Sequence, residues 1–245
     1  LKFDISALEQ DKLRNYELDI FETSGSLNSK LLNLYIYKLN NRRIFKIFNT
    51  HFIYIKEKNC FFEKSILEKK GNIILDGYWQ SEKYFKDIKN TIEQDFKIKT
   101  DPNINNRAIL SKIKNSNAVC IHIRRGDYIS NKKTNEFHGI CSLKYYYDSI
   151  EIIINKVKNP IFIIFSDDLN WTRKYLILKY PSVYVDINSI EKGYADLRLM
   201  KNCKHFIIAN SSFSWWGAWL SNNRNKIVCA PKKWFLLKDE GDLVP

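Results

Sequence analysis

Two guanidinium groups, Arg124 and Arg125, follow directly on the apolar run NAVCIHI, and the carboxylate of Asp127 stands two residues further on. A guanidinium is a planar fork of donors that matches phosphate oxygens bidentately. One charge-assisted hydrogen bond contributes about 1.5–3 kcal/mol, against about 0–1 kcal/mol for an exposed ion pair. Two consecutive arginines at a strand end exceed what a surface ion pair needs, so their type and place point to phosphate. His122 lies two residues before Arg124, so both face the same side of a strand. Two more polar clusters end apolar runs: Ser166, Asp167 and Asp168 after PIFIIF, and Asn210, Ser211 and Ser212 after KHFIIA. The last cluster leads into SSFSWWGAWLS, where the free N–H groups of a helix start suit an anion. Capping by Ser211 or Ser214 is the competing role.

Other residues carry weaker signals. His138, in NEFHGICS, titrates near neutrality and is a candidate general base, with Glu136 as its rival; a plain loop role is the simpler reading of each. The adjacent carboxylates of FSDD point apart on an extended chain, so they make a poor metal site. Asp168 is expected to cap the next helix, and Asp167 to face the ligand. Trp215, Trp216 and Trp219 read as core, with Trp215 and Trp219 on one helix face. The tripeptide Arg125-Gly126-Asp127 could serve adhesion only from an exposed loop tip, and here it abuts a strand.

These clusters need a scaffold that brings strand ends together. From residue 115 the pattern supplies one. The strands NAVCIHI, PIFIIFS, SVYVDI, KHFIIAN and KIVCAP alternate with the helices SLKYYYDSIEIIINKV (capped by Ser142), LNWTRKYLILKY, GYADLRLMKNC and SSFSWWGAWLS. Such alternation predicts a parallel sheet with crossover helices, a Rossmann-like α/β domain over 115–245. Ligands of open α/β sheets bind beyond the carboxyl ends of the strands. Residues 1–114 are expected to form another domain. There GNIILD reads as a short buried strand ending at Gly77, and SEKYFKDIKNTIEQDF as one amphipathic helix capped by Ser81. The stretch LLNLYIYKLNNRRIFKIFNTHFIYIKE gives no clear boundaries.

Composition narrows the function classes. The 245 residues are 44% hydrophobic and 14% aromatic, which is a folding chain. Its longest apolar runs fall well short of the roughly 20 residues of a membrane span. The net charge of +13 comes from scattered lysines without a zinc finger or a recognition helix, so a nucleic-acid role is a remote alternative. Five cysteines at wide spacings, with no Cys-x-x-Cys, argue against a disulfide framework and a zinc site and favour a reducing cytoplasm. No Walker P-loop, Gly-x-Gly-x-x-Gly, Gly-x-Ser-x-Gly or His-Glu-x-x-His occurs.

HIRRGDY (122–128), FSDDLNW (165–171) and DLRLMKNCKHFIIANSSFSWWGAWLS (196–221) together closely resemble bacterial α-1,2-fucosyltransferases. LDGYWQSEKYF (75–85) and LRNYELDIF (13–21) resemble the same family. The resemblance implies two Rossmann-like domains facing a cleft, the GT-B arrangement. It implies GDP-β-L-fucose as co-substrate, inversion at the anomeric carbon, a galactoside-terminated glycan as acceptor, and neither metal nor cofactor. By the same resemblance Arg124 and Arg125 hold the pyrophosphate, and His122 and Asp196 contact the guanosine end. Asn210, Ser211, Ser212 and Phe213 line the nucleotide pocket, and Tyr78, Trp79 and Gln80 face the acceptor. Asp127 fits the motif position for a base, with His138 and Glu136 as rivals.

Relatives in that family begin with a strand and a Gly-rich loop resembling GGLGNQ, whereas this sequence begins at LKFDIS. The expectation is that the N-terminal domain is truncated here and that the complete reading frame is the enzyme. The basic charge suits peripheral contact with the inner face of the cytoplasmic membrane, since each basic residue near an anionic surface contributes about 1 kcal/mol. The expected result is co-sedimentation with anionic vesicles and not with neutral ones; equal sedimentation with both removes the idea.

Overall fold

The computed structural model describes residues 2–5, 16–27, 52–58 and 61–236. They fall into two compact units, Leu1–Trp79 with Lys83–Thr100, and Gln80–Glu82 with Asp101–Pro245.

In the first unit, β1 (Lys2–Phe3) pairs in parallel with β2 (Ser26–Leu27), and β3 (Phe52–Lys56) with β4 (Asn72–Asp76). The helix α1 (Lys64–Leu67) lies between β3 and β4 in the chain, and α2 (Lys89–Asp95) follows β4. Phe21 is buried against Phe96, with ring centroids 5.4 Å apart. Two expectations change here. β4 exists, but its side chains are half-buried or exposed, because among the described residues it pairs with β3 alone. The single helix expected from Ser81 is broken into 3-10 turns at Glu82–Tyr84 and Lys86–Ile88 before α2 begins, with Phe85 leaving helical geometry at φ −141°. Ser81 caps nothing: its hydroxyl is buried without a hydrogen-bond partner among the described residues. Most of LLNLYIYKLNNRRIFKIFNTHFIYIKE lies outside the described residues, and its final segment is β3.

The second unit opens with α3 (Ile104–Lys114), capped by Asn103, whose side chain accepts from the Asn106 amide. The sequence grouped this helix with residues 1–114. Its fully buried Ile113 and an amide exchange between Asn106 and Asn188 tie it instead to the second unit. Then come β5 (Asn117–Ile123), α4 (Gly126–Ser130), α5 (Lys132–His138), α6 (Leu143–Lys156), β6 (Pro160–Ser166), α7 (Leu169–Tyr175) and β7 (Ser182–Tyr184). α8 (Gly193–Lys201), β8 (His205–Ile207), α9 (Ser212–Trp219) and β9 (Val228–Cys229) complete it. Ser142 caps α6 and Asp168 caps α7, as their positions in the sequence predict. α7 stops at Tyr175, five residues early, because Leu176 turns out of the helix and is wholly buried in the core.

All five strands are parallel, in the order β7-β6-β5-β8-β9. Counted along the chain this is 3-2-1-4-5, the Rossmann order. On one face Val119, Ile121 and Ile123 pack against Tyr146, Ile150 and Ile153 of α6. Full burial of each such side chain contributes about 1.5–3 kcal/mol. Cys120 and His122 take the opposite face by strand alternation. There α8 and α9 approach so closely that a Cβ on Gly217 would lie 2.9 Å from the Cβ of Met200. The strand order reverses between β5 and β8, and a crevice at such a reversal is where these sheets bind ligands. The chain departs from these two strand ends as Arg124-Arg125 and Ala209-Asn210-Ser211.

Candidate active site

At the end of β5 the charges form a network. Asp167, leaving β6, accepts from the backbone N–H of Arg125 at 2.8 Å and lies 3.0 Å from Nη1 of Arg124. Nη2 of Arg124 lies 2.7 Å from Oδ1 of Asp127, in the first turn of α4. Nε of Arg125 reaches Asp168 at 3.3 Å, while its guanidinium carbon sits 3.6 Å from the ring centroid of Trp171. Each arginine is thus held through part of its fork. A guanidinium carries five N–H donors, so both retain donors for an anion. Gly126 is required by this packing, since a Cβ there would lie 2.8 Å from Oδ2 of Asp167. The Arg-Gly-Asp tripeptide starts a helix inside this network and leaves the Asp127 side chain only 18% exposed, so it is not an adhesion tip.

His122 is the next group inward. It is 4% exposed, and its Nδ1 has no hydrogen-bond partner among the described residues. Burial, with Arg124 beside it, lowers its pKa to about 3, so the ring is neutral. A buried polar atom left unpaired costs about 1–3 kcal/mol, which a ligand hydrogen bond would recover. The ring lies 5.7 Å from that of Phe213. Ser211 occupies the N-cap of α9 without any side-chain capping bond, and Ser212 is exposed at the helix start. Ser214 donates back to the Ser211 carbonyl at 3.2 Å. Neither serine therefore satisfies the first N–H groups of α9 through its side chain.

Asn210 behaves differently from its neighbours. It is 3% exposed, and its side-chain amide donates to the carbonyls of His138 at 2.8 Å and Trp234 at 3.2 Å. Its own carbonyl accepts from the Tyr128 hydroxyl at 3.1 Å. It ties α4, the end of α5 and the segment around Trp234 to the turn before α9. His138 stacks on Tyr128, centroids 4.7 Å apart, beside Phe235. Glu136 is exposed, 3.9 Å from Lys132.

Asp196 stands in the first turn of α8, where burial raises its carboxyl to about 6 against the opposing hydrogen bond from Asn188. Its charge is felt at Cys120, which places it on the His122 face of β5. Tyr78 and Trp79 belong to the first unit and Gln80 to the second. Tyr78 is 81% exposed, and the backbone N–H groups of Tyr78 and Trp79 both donate to Glu57. Trp215 and Trp219 stack at 6.1 Å, and Trp219 donates to Glu82 at 3.0 Å.

The profile of glycosyl transferase family 11 matches residues 36–238. This chain belongs to glycosyl transferase family 11. An α-1,2-colitosyltransferase of Escherichia coli is 40% identical over 68% of this chain and 57% of its own length. The O-antigen biosynthesis glycosyltransferase WbnK of Escherichia coli is 38% identical over 69% of this chain and 57% of its own. A galactoside 2-alpha-L-fucosyltransferase of Caenorhabditis elegans is 29% identical over 65% and 46%. The chain thus spans about half the length of the curated relatives it matches. In this family 11 chain the network joins Arg124, Arg125, Asp127, Asp167 and Asp168, and His122 with Phe213 lies one step inward. Tyr128 and Trp171 end the motifs HIRRGDY and FSDDLNW, but nothing in the sequence assigns either a role. Asn188 lies in an unpatterned loop and carries no signal of its own. Among the described residues no three metal-ligating side chains converge, and no helix is long and apolar enough to cross a membrane.

Proposed function

We propose that the protein transfers L-fucose from GDP-β-L-fucose to the 2-hydroxyl of a β-galactoside with inversion, within a two-domain GT-B enzyme. It works without a metal in the cytoplasm, against the inner face of the membrane. The observation that carries this reading is the pair of guanidiniums fixed at the strand-order reversal, each with donors to spare, beside a helix start with no side-chain cap. That arrangement suits a pyrophosphate.

In the transfer the acceptor oxygen attacks the anomeric carbon from the face opposite the phosphate. The bond from that carbon to the phosphate oxygen breaks, and its electron pair leaves with GDP. Arg124 and Arg125 stabilise the charge that develops on the departing diphosphate. The hydroxyl proton goes to a base, for which Asp127 is the candidate nearest the arginines, with His138 and Glu136 as rivals. His122 and Asp196 read the guanosine. Ser211, Ser212 and Phe213 line the nucleotide pocket, Asp167 sets the arginines, and Tyr78, Trp79 and Gln80 serve the acceptor.

Calorimetric titration of the full-length protein with GDP-fucose, GDP-mannose and UDP-galactose tests this. GDP-linked donors are expected to bind at least tenfold more tightly than the UDP-linked one, with EDTA making no difference. Equal affinities would sink the reading. The colitosyl relative favours a second reading, in which the sugar is colitose rather than fucose, so nucleotide-linked colitose belongs in the same titration.

A further inference from the structure

Asp196 does not stand alone. Its Oδ1 accepts from the side-chain amide of Asn188 at 2.7 Å. Asn188 and Asn106 exchange amides in both directions, at 2.8 and 3.1 Å. Asn106, 3% exposed, donates in turn to Asn103, the N-cap of α3, at 3.0 Å. Each amide has two N–H donors, so those of Asn188 and Asn106 are all used. A chain of three asparagines runs from the start of α3 to one edge of one carboxylate. Oδ2 of Asp196 has no partner among the described residues.

We infer that Asn188, braced by Asn106, is a positioning residue that fixes one edge of the Asp196 carboxylate so that the other edge accepts from a guanine base. The inference rests on the proposed role of Asp196 at the guanosine end. Guanine presents two adjacent donors, N1–H and the 2-amino group, which one carboxylate can accept; hypoxanthine lacks the amino group, and uracil offers a single N–H. The role needs an ionised carboxylate in surroundings that disfavour one. Burial raises the Asp196 pKa to about 6, and the Asn188 bond pulls it down. Without that bond the carboxyl titrates higher, closer to working pH. The titratable neighbours on this face do not interfere. Burial holds the Cys120 thiol, beside Cys203, well above its ordinary value, and His122 is neutral above about 3. Asn188 faces Asp196 with its amide, and Asn106 stands behind Asn188.

The sign follows from linkage. Guanine donors favour the ionised carboxylate, so binding lowers its pKa. Affinity is then full above the free-state value of about 6 and falls as pH drops through it.

The test is calorimetry on the full-length protein with GDP and inosine diphosphate between pH 5.5 and 8.5. The wild type should prefer GDP by about tenfold to a hundredfold, the value of one charge-assisted bond. Asn188→Ala should move the pH midpoint of GDP binding upward by about one unit, within the range such environments produce. Near pH 6.5 its GDP affinity should be about threefold weaker than that of the wild type, and near pH 8.5 the difference should vanish. A uniform loss with an unmoved midpoint would mean Asn188 is only structural and would overturn the inference. If Asn188→Ala does not fold, Asn106→Ser removes the brace one bond further away and should move the midpoint the same way by less; no movement overturns it equally. Asp196→Asn separates the two layers. Retained GDP preference in that variant defeats the guanosine reading itself. Lost preference there, with Asn188→Ala unchanged from wild type, defeats the positioning role alone.

Discussion

Replacing Arg125 with alanine is expected to weaken donor binding about tenfold to a hundredfold while the protein stays folded. The affinity loss is that of one charge-assisted bond to phosphate, about 1.5–3 kcal/mol, with each 1.4 kcal/mol worth a factor of ten. The stability cost is smaller, because the internal contacts of Arg125 are few. It stacks on Trp171 and makes one bond to Asp168. The stack contributes about 0.5–2 kcal/mol. Asp168 is 36% exposed and keeps its capping bond to the Trp171 amide, so losing its cation leaves it hydrated rather than stranded. Arg125→Lys restores charge but neither the planar stack nor the fork, and should recover less than half of the lost binding free energy. Calorimetric affinity for GDP-fucose, set beside the melting temperature of each variant, decides the matter. A collapse in melting with unchanged affinity in the folded fraction would make Arg125 a structural residue.

What the sequence showed and what it hid follow from the range of the forces involved. β5, β6 and α6 were legible because each is a continuous or periodic apolar segment, and their burial repeats that pattern. The caps Ser142 and Asp168 were legible because capping acts over three residues. The rim of polar strand ends followed from the strands themselves. β4 misled because its apolar letters match a buried strand, while burial depends on which neighbours cover it. The helix from Ser81 misled because local periodicity did not register the backbone break at Phe85. The asparagine chain was hidden for the same kind of reason. Asn106 and Asn188 are 82 residues apart in sequence, and an amide pair of that separation leaves no periodic trace. At the opening motif the sequence could say that Asp127 stands near two arginines. It could not say that Arg124 pairs with two carboxylates while Arg125 lies flat on a tryptophan. That asymmetry makes Arg124 the more tightly paired member and leaves more of the Arg125 fork for a ligand.

Asn210→Leu should be the costliest single change at the strand ends, and the cost should fall on stability. Resemblance assigns this residue to the nucleotide pocket, where its loss would lower donor affinity and leave melting nearly unchanged. Its surroundings argue otherwise. The amide is buried, and its donors go to the carbonyls of His138 and Trp234, with the Gly139 carbonyl at 3.4 Å and the Cys141 thiol 3.6 Å from Oδ1. Leucine matches the volume but donates nothing, so two carbonyls lose their partner. Each unmet group costs about 1–3 kcal/mol, for a total of about 2–6 kcal/mol. In a domain of this size 1 kcal/mol corresponds to about 2–4 °C, so melting should fall by about 4–24 °C. Because the same residue holds the turn that starts α9 and receives the Tyr128 hydroxyl, donor affinity should fall too, as a consequence of the loosened turn. Saturating GDP-fucose should restore part of the lost melting temperature, since a ligand that binds only the folded state stabilises it. Melting unchanged from wild type, with donor affinity reduced tenfold or more, would reverse the assignment and put the Asn210 side chain on the nucleotide.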